Sequence, residues 1–272
     1  MEIKVLMENL TYSQNLKSQH GLSILITGEN KKIIFDTAQN QDYIYNAISM
    51  NENIKDIDYV IISHGHYDHT GGLENFLRIN QKAKIIMSKY AIEEKFSNST
   101  GEMREIGFPI KERYKNYKNE FILIDDYYEI TDEIKIYSNI EKKFEFENNE
   151  KKLFIKKDNK YVKDEFDDEL YLVIKRGEKQ ALITGCAHRG IVNILSGIIK
   201  KTGNSKFIAV IGGIHTKGNG EERALKTAEE LLKYEVDKYY LNHCTGIEEY
   251  AIIKGIMKDK SEYFYTGKKI EI

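Results

Sequence analysis

The chain has 272 residues, room for one large domain or two small ones, and 41% of them are hydrophobic, which excludes a disordered chain. Its formal net charge of −2 argues against a nucleic-acid surface or an anionic-membrane partner. Two cysteines are too few for a disulfide framework, Met1–Leu10 lacks the apolar stretch of a signal peptide, and no window approaches the roughly 20 apolar residues of a membrane span, so a cytoplasmic protein is expected.

Taken in chain order, Ile3–Met7, Leu22–Thr27, Lys32–Phe35 and Tyr59–Ser63 are short apolar, β-branched runs that predict strands. Asp42–Met50 has helical spacing, with Tyr43, Ala47 and Met50 on one face. Leu73–Ile79 predicts a short helix after a Gly-Gly turn, and Lys84–Met87 another strand. The stretch from about 93 to 169 is rich in Lys, Glu, Asp and Tyr, with weak strand signals at Phe121–Ile124, Ile134–Tyr137 and Leu153–Ile155. It reads as an insertion or cap within a single 1–272 domain, and its tyrosines, Tyr127 and Tyr128 among them, are candidates for lining a pocket. Beyond it, Leu170–Lys175 and Ala181–Thr184 predict a strand pair across the turn at Arg176, and Ile191–Ile199 predicts a helix. Strands at Phe207–Ile211 and Lys238–Leu241 then alternate with helices at Glu221–Tyr234 and Glu248–Met257. Each half therefore runs from strands to helices, the pattern of two sheets with helices outside them.

The chemistry concentrates in Ser63-His64-Gly65-His66-Tyr67-Asp68-His69-Thr70-Gly71-Gly72, where three of the seven histidines fall within six positions after an apolar strand. An extended chain carries His64 and His66 to the same side, and Asp68 and His69 follow in the turn before the next helix. Two nitrogens could hold one metal while a carboxylate oxygen and a third nitrogen hold a neighbour. Imidazole and carboxylate donors suit Zn²⁺, with Fe²⁺ and Mn²⁺ as alternatives.

This pattern resembles the H-x-H-x-D-H signature of the metallo-β-lactamase superfamily. Phe35-Asp36-Thr37 is similar to that family's strand-end Asp-Thr, Leu182-Ile-Thr-Gly-Cys186-Ala-His188 to its fourth motif, and His243 to its last ligand. The resemblance implies an α/β fold, the αββα sandwich of two mixed sheets flanked by helices, with two divalent metals at one edge. The strings His20-Gly-Leu-Ser, Thr184-Gly-Cys-Ala-His-Arg-Gly-Ile-Val-Asn, Ile211-Gly-Gly-Ile-His and His243-Cys-Thr-Gly look like one subgroup. Its members are labelled 7,8-dihydropterin-6-methyl-4-(β-D-ribofuranosyl)-aminobenzene-5′-phosphate synthases.

By this resemblance His64 and His66 bind the first metal, with His188 as a substitute third ligand. Asp68, His69 and His243 bind the second. Cys186 stands where the family has a bridging aspartate, and is either a ligand or a small residue lining the pocket. Cys244, next to His243 on an expected strand end, should face the interior as a buried apolar residue. Asp36 is read as an acceptor that orients a ligand histidine, or else as a turn cap. His215 is a candidate for substrate contact or acid catalysis, against a surface histidine. Arg189, with the amides of the helix after Gly190, could clamp a substrate phosphate or carboxylate, against a solvent-exposed arginine. His20 has the weakest case.

The leading expectation is a metal-dependent hydrolase or transferase acting on a phosphorylated or ester-like small molecule, with Asp68 orienting water and His215 protonating the leaving group. The alternatives are a pterin-diphosphate-dependent synthase, with a pterin-like substrate, and a metal-binding or ligand-sensing protein without turnover. A diiron redox role is disfavoured, because the glutamate and flavin domain that mark it are missing.

Overall fold

A computed structural model describes residues 1–147 and 150–272; Asn148 and Asn149, within the expected 93–169 insertion, lie outside the described residues. In chain order the strands begin with β1 (Glu2–Met7), β2 (Ser23–Gly28), β3 (Lys31–Phe35), β4 (Tyr59–Ile61), β5 (Lys84–Ser88), β6 (Lys95–Ser97) and β7 (Arg104–Glu105). There follow β8 (Phe121–Ile124), β9 (Tyr127–Thr131), β10 (Ile134–Tyr137), β11 (Leu153–Lys157), β12 (Lys160–Lys163), β13 (Tyr171–Arg176) and β14 (Lys179–Ile183). The last are β15 (Lys206–Gly212), β16 (Glu235–Leu241), β17 (Ser261–Tyr263) and β18 (Lys269–Glu271). The helices are α1 (Asp42–Ser49), α2 (Tyr67–Thr70), α3 (Leu73–Ile79), α4 (Ile191–Thr202), α5 (Glu221–Leu231) and α6 (Ile247–Met257).

The chain divides into two compact units. The first comprises Met1–Asp125, Glu150–Asp168 and Tyr265–Glu271. Its main sheet has the order β18-β1-β2-β3-β4-β5-β8. The pairs from β18 to β3 are antiparallel, and those from β3 to β8 are parallel. Antiparallel neighbours can be joined by tight turns, whereas parallel ones need a crossover. Accordingly α1 lies between β3 and β4 in the chain, and α2 and α3 lie between β4 and β5. Tyr43, Ile44 and Ala47 of α1 and Leu73, Phe76 and Leu77 of α3 pack with Leu25, Ile34, Val60 and Ile85 in one core cluster. Ile33, Phe35 and Ile61, whose side chains alternate with those, are also buried, which explains the continuous apolar runs in the sequence.

The second unit comprises Asp126–Asn149, Glu169–Phe264 and Ile272. Its sheet runs β17-β16-β15-β14-β13-β10-β9. The pairs from β9 to β14 are antiparallel and those from β14 to β17 parallel. Helices α4, α5 and α6 occupy the crossovers. The two units thus repeat one plan, three antiparallel pairings followed by three parallel ones. Ile191, Ile194, Leu195 and Ile198 of α4 and Ala224, Ala228 and Leu231 of α5 join Leu182, Phe207 and Val210 in the second core.

The 93–169 region is not one separate element. Phe121–Ile124 is an edge strand of the first main sheet, and Tyr127–Thr131 with Ile134–Tyr137 closes the edge of the second. Only β6, β7, β11 and β12 form a small sheet of their own, within the first unit. Tyr127 lies exposed on β9, with its hydroxyl on Glu129. The short strands β6, β7, β9, β12, β17 and β18 escaped the sequence reading because two to five polar-rich residues give too little periodicity to count. Among the described residues no helix is long and apolar enough to cross a membrane.

Candidate functional site

In the first unit the candidate residues gather at the C-terminal ends of the parallel strands β3 and β4, the edge at which open α/β sheets present their sites. Asp36 follows β3 with φ of 62°, a left-handed turn that aspartate tolerates better than most residues. Its fully buried carboxylate accepts the Ser63 amide at 2.7 Å, the Ser63 hydroxyl at 2.7 Å and His69 Nδ1 at 2.6 Å. Ser63 Oγ also lies 2.9 Å from His64 Nδ1. A hydroxyl that donates its one proton to Asp36 must accept from His64, which puts the His64 proton on Nδ1 and leaves the Nε2 lone pair available. The same logic leaves Nε2 of His69 as its donor atom. Thr37 fixes the backbone beneath, with its amide and hydroxyl both donating to the His69 carbonyl, at 2.7 and 2.9 Å.

His64 Nε2 and His66 Nδ1 face each other at 3.0 Å. Two nitrogens sharing a tetrahedral zinc at 2.0–2.1 Å sit about 3.3 Å apart, so this pair is already set close to ligand geometry. Burial, reinforced by the positive charges of His69 and His66, holds the His64 pKa well below its ordinary value. Burial and then Lys95 bring His66 down to about 3. Both rings are therefore neutral at physiological pH, the form in which imidazole binds metal. The loop between them requires glycine at 65, because a Cβ there would sit 2.1 Å from the Ala91 carbonyl oxygen. Asp68 and His69 form the other pair, with 3.6 Å between Asp68 Oδ2 and His69 Nε2, inside the single-turn helix α2. His20, the weakest candidate in the sequence, places Nε2 3.1 Å from Asp68 Oδ2. The string His20-Gly-Leu-Ser was the only signal that could have raised it.

A buried ionic group supports this loop and was not anticipated. Asp168 Oδ2 accepts the Gly65 amide at 2.7 Å, and Lys95 Nζ contacts Asp168 and Asp164 at 2.9 and 2.8 Å. Burial alone would lower the Lys95 pKa, but the two carboxylates more than reverse that and keep the ammonium charged. Lys95 sits on β6 and the two aspartates in the loop between β12 and β13, where nothing in the sequence distinguishes them from solvated charges.

In the second unit the candidates again follow parallel strands: Cys186 and His188 after β14, His215 after β15, and His243 and Cys244 after β16. Donor atoms of Cys186, His188 and His215 lie within 4.8 Å of one another, as do those of Cys186, His243 and Cys244. The His188 and His215 rings are 4.2 Å apart. Glu169, also missed in the sequence, accepts the His188 and Arg189 amides at 2.6 and 3.1 Å and the Tyr171 hydroxyl at 2.6 Å. Two expectations are corrected. Residues 243–245 form a 3₁₀ turn instead of extended chain, with φ of 49° at His243, so strand alternation does not separate Cys244 from the donors. Burial raises the Cys244 pKa, but hydrogen bonds with Cys186 and His215 and the charges of His243 and His215 draw it well below the usual thiol value. The amides at the start of α4, expected to hold a substrate anion with Arg189, are taken by Glu147, which accepts Val192 N at 3.1 Å and Asn193 N at 2.7 Å. The Arg189 guanidinium donates to the Ile140 carbonyl at 3.1 Å.

Two predictions follow from these buried charges. Lys95→Met leaves two carboxylates uncompensated and should cost about 3–5 kcal/mol, read as a drop in the urea midpoint; an unchanged midpoint refutes the role given to Lys95. Burial pushes Glu147 up to about 7 from an ordinary 4.5, against the hydrogen bonds that favour its charged form. The folded chain then binds more protons than the unfolded one between those values, so this residue makes stability fall as pH rises through that window. Glu147→Gln should remove that slope, measured by denaturation at several pH values.

A family model described as the metallo-beta-lactamase superfamily matches residues 19–243. The 7,8-dihydropterin-6-methyl-4-(beta-D-ribofuranosyl)-aminobenzene-5′-phosphate synthase of Methanocaldococcus jannaschii is 33% identical over 277 residues, covering 96% of this chain and 92% of that protein. An uncharacterised protein of the same organism is 32% identical over 274 residues, covering 99% and 100%. A crystal structure of a metal-dependent hydrolase of the beta-lactamase superfamily matches with a TM-score of 0.84 and 28% identity, covering 100% of this chain and 99% of that one. Zinc-bound PqqB from Methylobacterium extorquens, 12% identical, shares the fold at a TM-score of 0.60 over the whole of both chains. With a mixed α/β fold matched along its full length and a family model spanning both clusters of candidate residues, the chain belongs to the metallo-β-lactamase superfamily.

Proposed function

We propose that this protein is a metal-dependent enzyme that hydrolyses or transfers a group at an ester-like or phosphoester centre of a small molecule, using two divalent metal ions, with zinc favoured. The observation that carries this reading is the pair His64 Nε2 and His66 Nδ1, held 3.0 Å apart on rings kept neutral by burial. In this reading His64 and His66 offer donors for one ion and Asp68 and His69 for the other, with His188 and His243 the candidate donors of the second unit. Cys186 is a thiolate donor where the family has its bridging carboxylate. The ions supply Lewis acidity toward a substrate oxygen and lower the pKa of a water molecule.

The chain's own groups supply orientation and proton control. Asp36 keeps the His69 proton on Nδ1, so that Nε2 stays a donor, and through Ser63 it does the same for His64. Asp68 offers a carboxylate oxygen that can accept a proton from water and aim its lone pair at the substrate. His215, half-buried beside His188, is the group in this reading that gives a proton to the leaving oxygen. Arg189 spends one of its donors on the Ile140 carbonyl.

The Methanocaldococcus relative favours a second reading, condensation of a pterin diphosphate with an arylamine ribose phosphate. There the metals held by the same residues would bind the diphosphate and act as electrophiles toward the leaving group, with no water activated. Turnover of phosphodiester, lactone and pterin diphosphate substrates, before and after chelation, tests both. Loss of turnover on metal removal, restored by zinc, iron or manganese, is expected. Full turnover of metal-depleted protein overturns the metal mechanism, and arylamine-dependent consumption of the diphosphate selects the second reading. Asp36→Asn should weaken metal affinity about 10–100-fold, measured by competition with a chelating dye.

A further inference from the structure

Strands β14, β15 and β16 run side by side and parallel. The turns after the two outer strands carry Cys186 and Cys244 to the end of the central one. Residue 213 there is glycine: a Cβ would sit 2.4 Å from Cys244 Sγ and 3.5 Å from Cys186 Cα. The missing side chain leaves the space that Cys244 Sγ occupies, beside Cys186. Both cysteines are buried thiols, at 3% and 6% exposure. Cys244 Sγ donates to the Cys186 carbonyl at 3.4 Å, and the two sulfurs lie within 4.8 Å of each other. A disulfide needs its sulfurs about 2.05 Å apart. Closing that gap requires the two side chains to move.

We propose that Cys186 and Cys244 form a reversible intramolecular disulfide, with hydrogen peroxide as oxidant. One thiolate attacks the O–O bond, an S–O bond forms, and the hydroxide released takes up the proton that the thiol lost, giving water. The second sulfur then attacks the sulfenic sulfur; the S–S bond forms, the S–O bond breaks, and a second water leaves. Two thiols give up two electrons and two protons in all, and the peroxide takes them up. A small oxidant suits thiols covered to this degree, and a dithiol reductant reverses the step by exchange. The disulfide itself does not depend on the proposed metal centre. One consequence does: oxidation withdraws Cys186 from the donors His188 and His215, so the oxidised protein should hold metal less tightly.

The test treats the folded full-length protein with hydrogen peroxide, as purified and after chelation. It is then denatured in an alkylating agent, and its peptides are weighed. The expected result is loss of both alkylatable thiols and a linked peptide pair joining residues 186 and 244, lighter by two hydrogen masses and restored by dithiothreitol. Cys244→Ala should give no such pair. Thiols that stay alkylatable in both preparations, or that over-oxidise without a link, overturn the proposal, and this reading needs only the unaltered chain. Metal content in the same samples separates the two ideas: a disulfide that forms with no loss of metal refutes the ligand role of Cys186 and leaves the switch intact.

Discussion

One fully buried carboxylate sets the geometry of the first cluster. Asp36 takes a hydrogen bond from His69 and two from Ser63, and Ser63 in turn contacts His64. A buried charge without such donors would be strongly unfavourable. With them it fixes the tautomers of two histidines on different parts of the loop. The left-handed turn at residue 36 makes this possible, since it swings the carboxylate from the end of β3 across to the residues that follow β4. The carboxylate fixes protons on Nδ1 of His64 and His69, and burial keeps the His64 and His66 rings neutral.

The sheets explain why donors so distant in sequence belong to so few places in the fold. Each unit turns from antiparallel to parallel pairing midway across its sheet, at β3 in the first and at β14 in the second. Parallel strands all end at the same edge, so residues that follow them gather there without any local signal. His64 and Asp36 follow neighbouring strands, as do Cys186, His215 and His243. The parallel strands are short apolar runs joined by crossover helices, which places chemistry on turns and stability in the cores beneath.

Much of this was legible in the sequence. The helix at Leu73–Ile79 and the strands flanking the histidine loop follow from periodicity, because buried parallel strands are apolar throughout. The gathering of His64, His66, Asp68 and His69 was legible because all four sit on one short loop after a strand. What was hidden depends on long-range partners. Lys95, Asp168 and Glu169 look like surface charges until the fold buries them, and Glu147 gives no hint that it will cap α4. Cys244 is buried as expected, but the strand alternation used to place it stops at the end of β16, where the backbone turns. His20 was underrated because its partner, Asp68, lies far along the chain.

The central claim is that these side chains hold a pair of metal ions. Anomalous diffraction from crystals of protein purified without added metal, with data on both sides of the zinc, iron and manganese edges, tests it most directly. The account predicts two peaks, one about 2.0–2.1 Å from His64 Nε2 and His66 Nδ1, the other at similar distance from His69 Nε2 and an Asp68 oxygen. Clean maps with no anomalous peak at His64 and His66, from crystals soaked in each of these metals, would contradict it.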